Sequence, residues 1–117
     1  MKNNILDAFK LMQKYEVSRA KDIKFIQSII PFIEEDGSIA KQVIIETLFL
    51  DSKDKESAYR SFLSRLRSDI RLAIQEAHDH LIDKEILESF HITSSKETKT
   101  SPARVNFSAK KVSENTI

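Results

Sequence analysis

SIAKQVIIETLFLDSKDKESAYRSFLSRLRSDIRLA, residues 38–73, is the stretch on which the fold turns. Its apolar residues recur every three to four positions on both sides of a polar break, which is the helical period. In the first half, Ala40, Val43, Ile44, Leu48 and Phe49 face a core, and Ser38 stands where a helix cap belongs. Asp51-Ser52-Lys53-Asp54 reads as a short polar turn, with Ser52 or Asp54 capping the helix that follows. That helix runs from about Lys55 to His80 or beyond. Its apolar set is Tyr59, Phe62, Leu63, Leu66, Ile70, Ala73, Ile74, Ala77 and Leu81. So broad a stripe exceeds a coiled-coil seam and marks the central helix of a globular domain.

Toward the N-terminus the same period continues. Asn4 is placed to cap a first helix, with Asp7 in its first turn and Ile5, Ala8, Phe9 and Met12 inside. Ser18 is placed to cap a second, lined by Ile23, Ile26, Ile29, Ile30 and Ile33, with Phe25 and Phe32 beside them. Pro31 either kinks this helix or splits off a short turn, PFIEE. Gly37 follows Glu34-Glu35-Asp36 and reads as a helix stop that needs positive φ. Toward the C-terminus, IDKEILESFHI (82–92) suits helix or strand, and TSSKETKTSPA is polar throughout. Residues 104–109 then alternate with a period of two, with Val105, Phe107 and Ala109 on one face. This is either the second strand of a hairpin, SFHIT with RVNFS, or part of a flexible tail. The expected organisation is a helical domain over 1–92, with a helix-turn-helix-like pair at 38–80, followed by a basic wing or tail over 93–117. The fold class is mainly α.

Composition agrees. A chain of 117 residues is one domain's length, and one Gly with two Pro supplies too few turns for an all-β fold. There is no Cys, which excludes disulfide frameworks and thiolate metal sites. MKNNILDAF has no long apolar run, and no stretch has the length and apolarity of a membrane span, so a cytoplasmic protein is expected. Formal net charge is +1, unevenly spread. Residues 1–54 carry eight basic and nine acidic side chains, residues 55–92 six and seven, and residues 93–117 five and two. Inside the middle segment, Lys55, Arg60, Arg65, Arg67 and Arg71 stand against only Glu56 and Asp69 up to position 72.

Helical spacing puts Arg60, Ser64, Arg67 and Arg71 on one face, flanked by Ser57, Ser61 and Ser68. A merely solvated face mixes Glu with Lys, because such pairs stabilise a helix, and Ser is a mediocre helix former. This face gives up both. Arg forks grip phosphates or guanine edges, and short Ser hydroxyls allow close approach to a sugar–phosphate backbone. The plainer reading is a solvated surface in which Arg60 pairs with Glu56 and Arg65 with Asp69.

SIAKQVIIETLFL, then DSKD, then ESAYRSFLSRLRSDIRLA, then RVNFSA resembles, over residues 38–109, the pattern of winged helix-turn-helix DNA-binding domains. The resemblance implies a recognition helix at 55–80 and a wing carrying Lys96, Lys99 and Arg104. The turn and the wing loop both lack glycine.

Other chemistry is weakly represented. Glu76 and His80 share a helix face while His78 does not, and a metal site needs three or four converging ligands. No Gly-rich phosphate loop or nucleophile elbow occurs. Asn106-Phe107-Ser108 matches a glycosylation sequon by chance. The expectation is a non-enzyme without cofactor, metal, membrane or small-molecule substrate. It would be a small DNA-binding regulator or a plasmid or phage maintenance (partition) factor, homodimeric, with structured RNA as a target of the same chemistry. Ser57, Arg60, Ser61, Ser64, Arg67, Arg71, Lys96, Lys99 and Arg104 are the expected contacts. The alternative is a helical adaptor or assembly subunit that binds a protein through its first two helices.

Overall fold

The computed structural model describes residues 2–80 and 87–111, with side chains for 2–76 and 89–110. Among the described residues, four α-helices and three strands follow one another: α1 (Lys2–Lys14), α2 (Ala20–Ile29), a 3₁₀ turn (Ile30–Phe32), β1 (Ser38–Ala40), α3 (Lys41–Leu48), α4 (Lys55–His80), β2 (Leu87–Ser94) and β3 (Arg104–Lys111). The strands form one antiparallel sheet in the order β1-β3-β2. The chain is therefore helical with a small sheet rather than purely α.

α1 starts at Lys2, so Asn4 lies inside the helix and does not cap it; its Nδ2 donates to the Ala109 carbonyl at 3.3 Å. Ile5, Ala8, Phe9 and Met12 are buried as their spacing requires. The helix closes on Glu16, which adopts φ +53°, with Val17 N–H donating to Met12 O and Glu16 N–H to Gln13 O. That is a Schellman closure built without glycine. Ser18 does not cap α2 either: Arg19 holds the N-cap position and no side chain caps it. Pro31 splits the pattern rather than kinking it, because Ile30–Phe32 form a separate 3₁₀ turn. Ile26, Ile29 and Ile33 are buried, whereas Phe32 is 52% exposed.

Ser38 caps no helix. It begins β1, where Ile39 lies opposite Val105, and α3 starts only at Lys41. Three residues of strand are too few to show a period, so β1 merges with the helical pattern that follows. Gly37 has φ +88°, as expected, but it serves the entry to β1 rather than a helix end. Its carbonyl accepts from Phe107 N–H at 2.8 Å, and the backbones of β1 and β3 meet there. α3 ends at Leu48, so the connection to α4 is longer than DSKD and leaves Leu50 62% exposed. Asp54 is the cap of α4: its Oδ1 accepts from Ser57 N–H at 3.0 Å.

Of the two readings for the C-terminal segment, the hairpin is the one formed. Val105, Phe107 and Ala109 of β3 face the core, and β2 crosses position 92. α1 and α4 pack together over the sheet. Phe9 meets Phe90 and Phe107 at ring separations of 6.0 and 5.9 Å. Phe25 meets Phe49 and Phe62 at 5.3 and 5.8 Å, joining α2 and α4 to the residue that caps the end of α3. Among the described residues, no helix is long and apolar enough to cross a membrane. The side chains of Ala77, His78 and His80, together with Leu81 and 82–86, lie outside the described residues.

Candidate nucleic-acid interface

At about 100° per residue, α4 divides cleanly into faces. Tyr59, Phe62, Leu63, Leu66, Ile70 and Ala73 are buried on one side. Ser57, Ser61, Ser64 and Ser68 are exposed on the opposite side, and Arg60, Arg67 and Arg71 run along the flank nearest the hairpin. No exposed position from Ser57 to Arg71 is acidic. Arg71 and Arg67 border a cleft of about 400 Å³ between α4 and β2, across from His91 and Thr93. Arg60 borders a second cleft of about 610 Å³ with Lys96, Ser94 and Ser95 of the hairpin and Lys41 and Gln42 of α3. The tertiary structure thus brings Arg60 and Lys96 to one groove, 36 positions apart in the chain. Glu97 and Glu56 share that rim.

The ion pairs differ from those read off helical spacing. Glu56 is taken by Lys41 of α3, not by Arg60, and the Lys41 ammonium also lies 5.1 Å from the centre of the Tyr59 ring. Arg65 turns away from the Ser/Arg face toward α2. Its Nε and Nη2 donate to Asp22 Oδ2 and Oδ1 at 3.0 and 3.1 Å, and Asp69 is not its hydrogen-bonded partner. Asp22 is only 3% exposed. Burial works to raise its pKa, but the hydrogen bonds and charges of Arg65 and Arg19 win, and the carboxyl is held below its ordinary value. For Asp69 burial wins, with the Asp22 charge adding to it, and its pKa is raised. An acidic residue inside an otherwise apolar helix stripe, as Asp22 is in line with Ile26 and Ile29 four and seven positions on, was the available signal for this pair.

Two of the expected contact residues have structural partners instead of free forks. Arg67 Nε and Nη2 both donate to the Ile92 carbonyl of β2, at 3.3 and 3.2 Å. Arg104 Nη2 donates to Glu34 Oε2 at 2.6 Å and to Ser38 Oγ at 2.9 Å, locking β3 to the turn before β1. Ser38 Oγ in turn donates to Asp36 Oδ1 at 2.7 Å, and that bond holds the exposed Asp36 carboxyl below its ordinary pKa. Arg104 therefore fastens the sheet through this one nitrogen, with its side chain 33% exposed. Lys96 and Lys99 are exposed in the β2–β3 loop. The loop is shaped by Ser95 N–H to Arg104 O at 2.9 Å and Thr98 N–H to Ser101 O at 2.8 Å. Lys41 and Gln42 escaped the sequence reading because β1 was hidden in the helix pattern. Among the described residues no three His, Asp or Glu side chains converge on a metal position. Comparison with family models, with curated proteins and with solved structures finds no match to this chain.

Proposed function

We propose that this chain binds double-stranded DNA, with the exposed face of α4 on the duplex and the β2–β3 loop on flanking phosphates. One observation carries the reading. The Ser/Arg face, with its serines opposite the buried face of α4 and its arginines along one flank, has no acidic side chain at an exposed position and meets the hairpin at the groove shared by Arg60 and Lys96. The order α3, α4, β2, β3, a helix pair followed by a hairpin, supports it, being the order of the winged helix-turn-helix pattern that residues 38–109 resemble. Arg60, Arg71, Lys96 and Lys99 supply the charge; Ser57, Ser61 and Ser64 admit the backbone to hydrogen-bond distance. A homodimer would double the contact, as small DNA-binding modules commonly require.

The test is fluorescence anisotropy with a random-sequence duplex at about 50 and 200 mM salt. Four phosphates neutralised give a log–log slope near −3.6 and roughly a hundredfold loss across that range. Arg71→Ala is expected to flatten the slope by about 0.9. No binding at the lower salt refutes the proposal.

The adaptor reading has its own observation. α1 and α2 leave an apolar groove of about 230 Å³ lined by Leu6, Phe9, Met12, Ile23, Ile26 and Ile30. Ile23→Asp would disable an adaptor and leave duplex binding by a monomer intact; Arg71→Glu would do the reverse.

A further inference from the structure

Arg67 lies between Arg60 and Arg71 along the flank of the Ser/Arg face nearest the hairpin, and its guanidinium is turned onto the sheet. The register explains what it finds there. Phe107 N–H donates to Gly37 O, so the bonding groups of Phe107 point toward β1. Ile92 lies directly opposite Phe107. In an antiparallel ladder, the residue opposite an outward-bonding one also bonds outward, so the Ile92 carbonyl points off the free edge of β2. β2 is the outer strand of the sheet, and α4 lies along that edge across a cleft that packing does not fill. Arg67 bridges the cleft, giving two N–H groups to this one edge carbonyl. A bifurcated, charge-assisted bond of this kind fixes direction as well as distance.

We infer that Arg67 is a positioning residue that sets the hairpin against α4, so that Lys96 and Lys99 are held where a duplex lying on α4 meets them. The inference rests on the DNA-binding reading above. It assigns Arg67 a task that Arg60 and Arg71 do not share, although all three occupy one helical flank. Removing the fork frees the edge carbonyl and loosens β2 and the loop beyond it from α4, while β3 stays paired with β1, and the two loop lysines then leave the phosphates while their own side chains are unchanged.

The test combines Arg67→Met, which retains helix propensity and side-chain bulk on the surface, with Lys96→Ala/Lys99→Ala, alone and together. In the otherwise unchanged protein, loss of the two lysines is expected to flatten the salt slope by about 1.8, at about 0.9 per phosphate. Arg67→Met is expected to flatten it by a similar amount, and the lysine substitutions then to add nothing in that background. If Arg67 were itself only a phosphate contact, Arg67→Met would cost about 0.9 and the lysine effect would persist undiminished, because independent sites add; that result overturns the inference. A second readout needs no DNA. Backbone ¹⁵N relaxation of residues 92–104 should show increased motion in Arg67→Met, and unchanged order there also overturns the inference. Should the unsubstituted protein bind no duplex, the DNA-binding reading fails, and the relaxation measurement alone decides whether Arg67 holds the hairpin.

Discussion

Replacing Gly37 by Ala should be among the most damaging single changes in this domain. Two separate costs arise at that position. The backbone sits at φ +88°, and an L-residue pays roughly 1–2 kcal/mol for left-handed geometry. A Cβ would also lie inside the contact radius of the Phe107 carbonyl oxygen and 2.9 Å from Ile5 Cδ1. Ile5 can shift its terminal methyl, but the Phe107 oxygen belongs to the backbone of the central strand and cannot rotate away. Forced overpacking of this kind costs typically 1–3 kcal/mol. The sum, about 2–5 kcal/mol, is a large part of the 5–15 kcal/mol that holds a domain together. Urea unfolding followed by far-ultraviolet circular dichroism measures it as a fall in midpoint at constant slope. Gly37→Asn separates the two costs, because Asn tolerates positive φ but carries the same Cβ. Asn should recover only the smaller part. Near-native stability of Gly37→Asn, or a loss below about 1 kcal/mol for Gly37→Ala, would refute the close approach of β1 to β3 as the reason for glycine.

Other substitutions probe other parts of the same frame. Glu16→Gly should stabilise by about 0.5–1 kcal/mol, since it removes left-handed strain from the end of α1 at some entropic cost in the unfolded chain; thermal denaturation reads it. Asp22→Asn should destabilise by about 2 kcal/mol, below the usual cost of breaking a buried pair because Arg65 is one-third exposed and can hydrate. Asp22 has a folded-state pKa below its unfolded value, so its contribution is present above the unfolded pKa and is lost as pH falls through the folded pKa. An acid titration of stability should therefore be shallower in Asp22→Asn. Asp69 has the opposite sign: its raised pKa means that its ionised form weakens the fold, and Asp69→Asn should be neutral or stabilising at pH 7 and converge with the parent in acid.

The helices were legible because each has to bury one face, and burial writes a 3.6-residue period into the chain. Ile5, Ala8, Phe9 and Met12 of α1, and Tyr59, Phe62, Leu66 and Ile70 of α4, all occupy the positions that period assigns. The alternation at Val105, Phe107 and Ala109 marked β3 for the same reason, with a period of two. The Ser/Arg face was legible too, since a helix exposes what it does not bury. Caps were less so. Asn4, Ser18 and Ser38 all have capping side chains, and none caps, because a cap depends on where the chain enters a helix and not on residue type alone.

What the sequence by itself determined, then, is local: which segments are helical, which residues face inward, that position 37 requires a glycine, and that one side of α4 is rich in Ser and Arg. Only the tertiary structure decided the partners. β1 exists because β3 offers it an edge, and three residues cannot announce that on their own. Arg65 meets Asp22 across 43 positions, Arg104 meets Glu34 across 70, and Arg67 meets a strand carbonyl 25 positions away. Three arginines that look alike in the sequence therefore do different things. A side chain's charge and length are properties of the residue, whereas the group it can reach is set by the packing of elements far away in the chain.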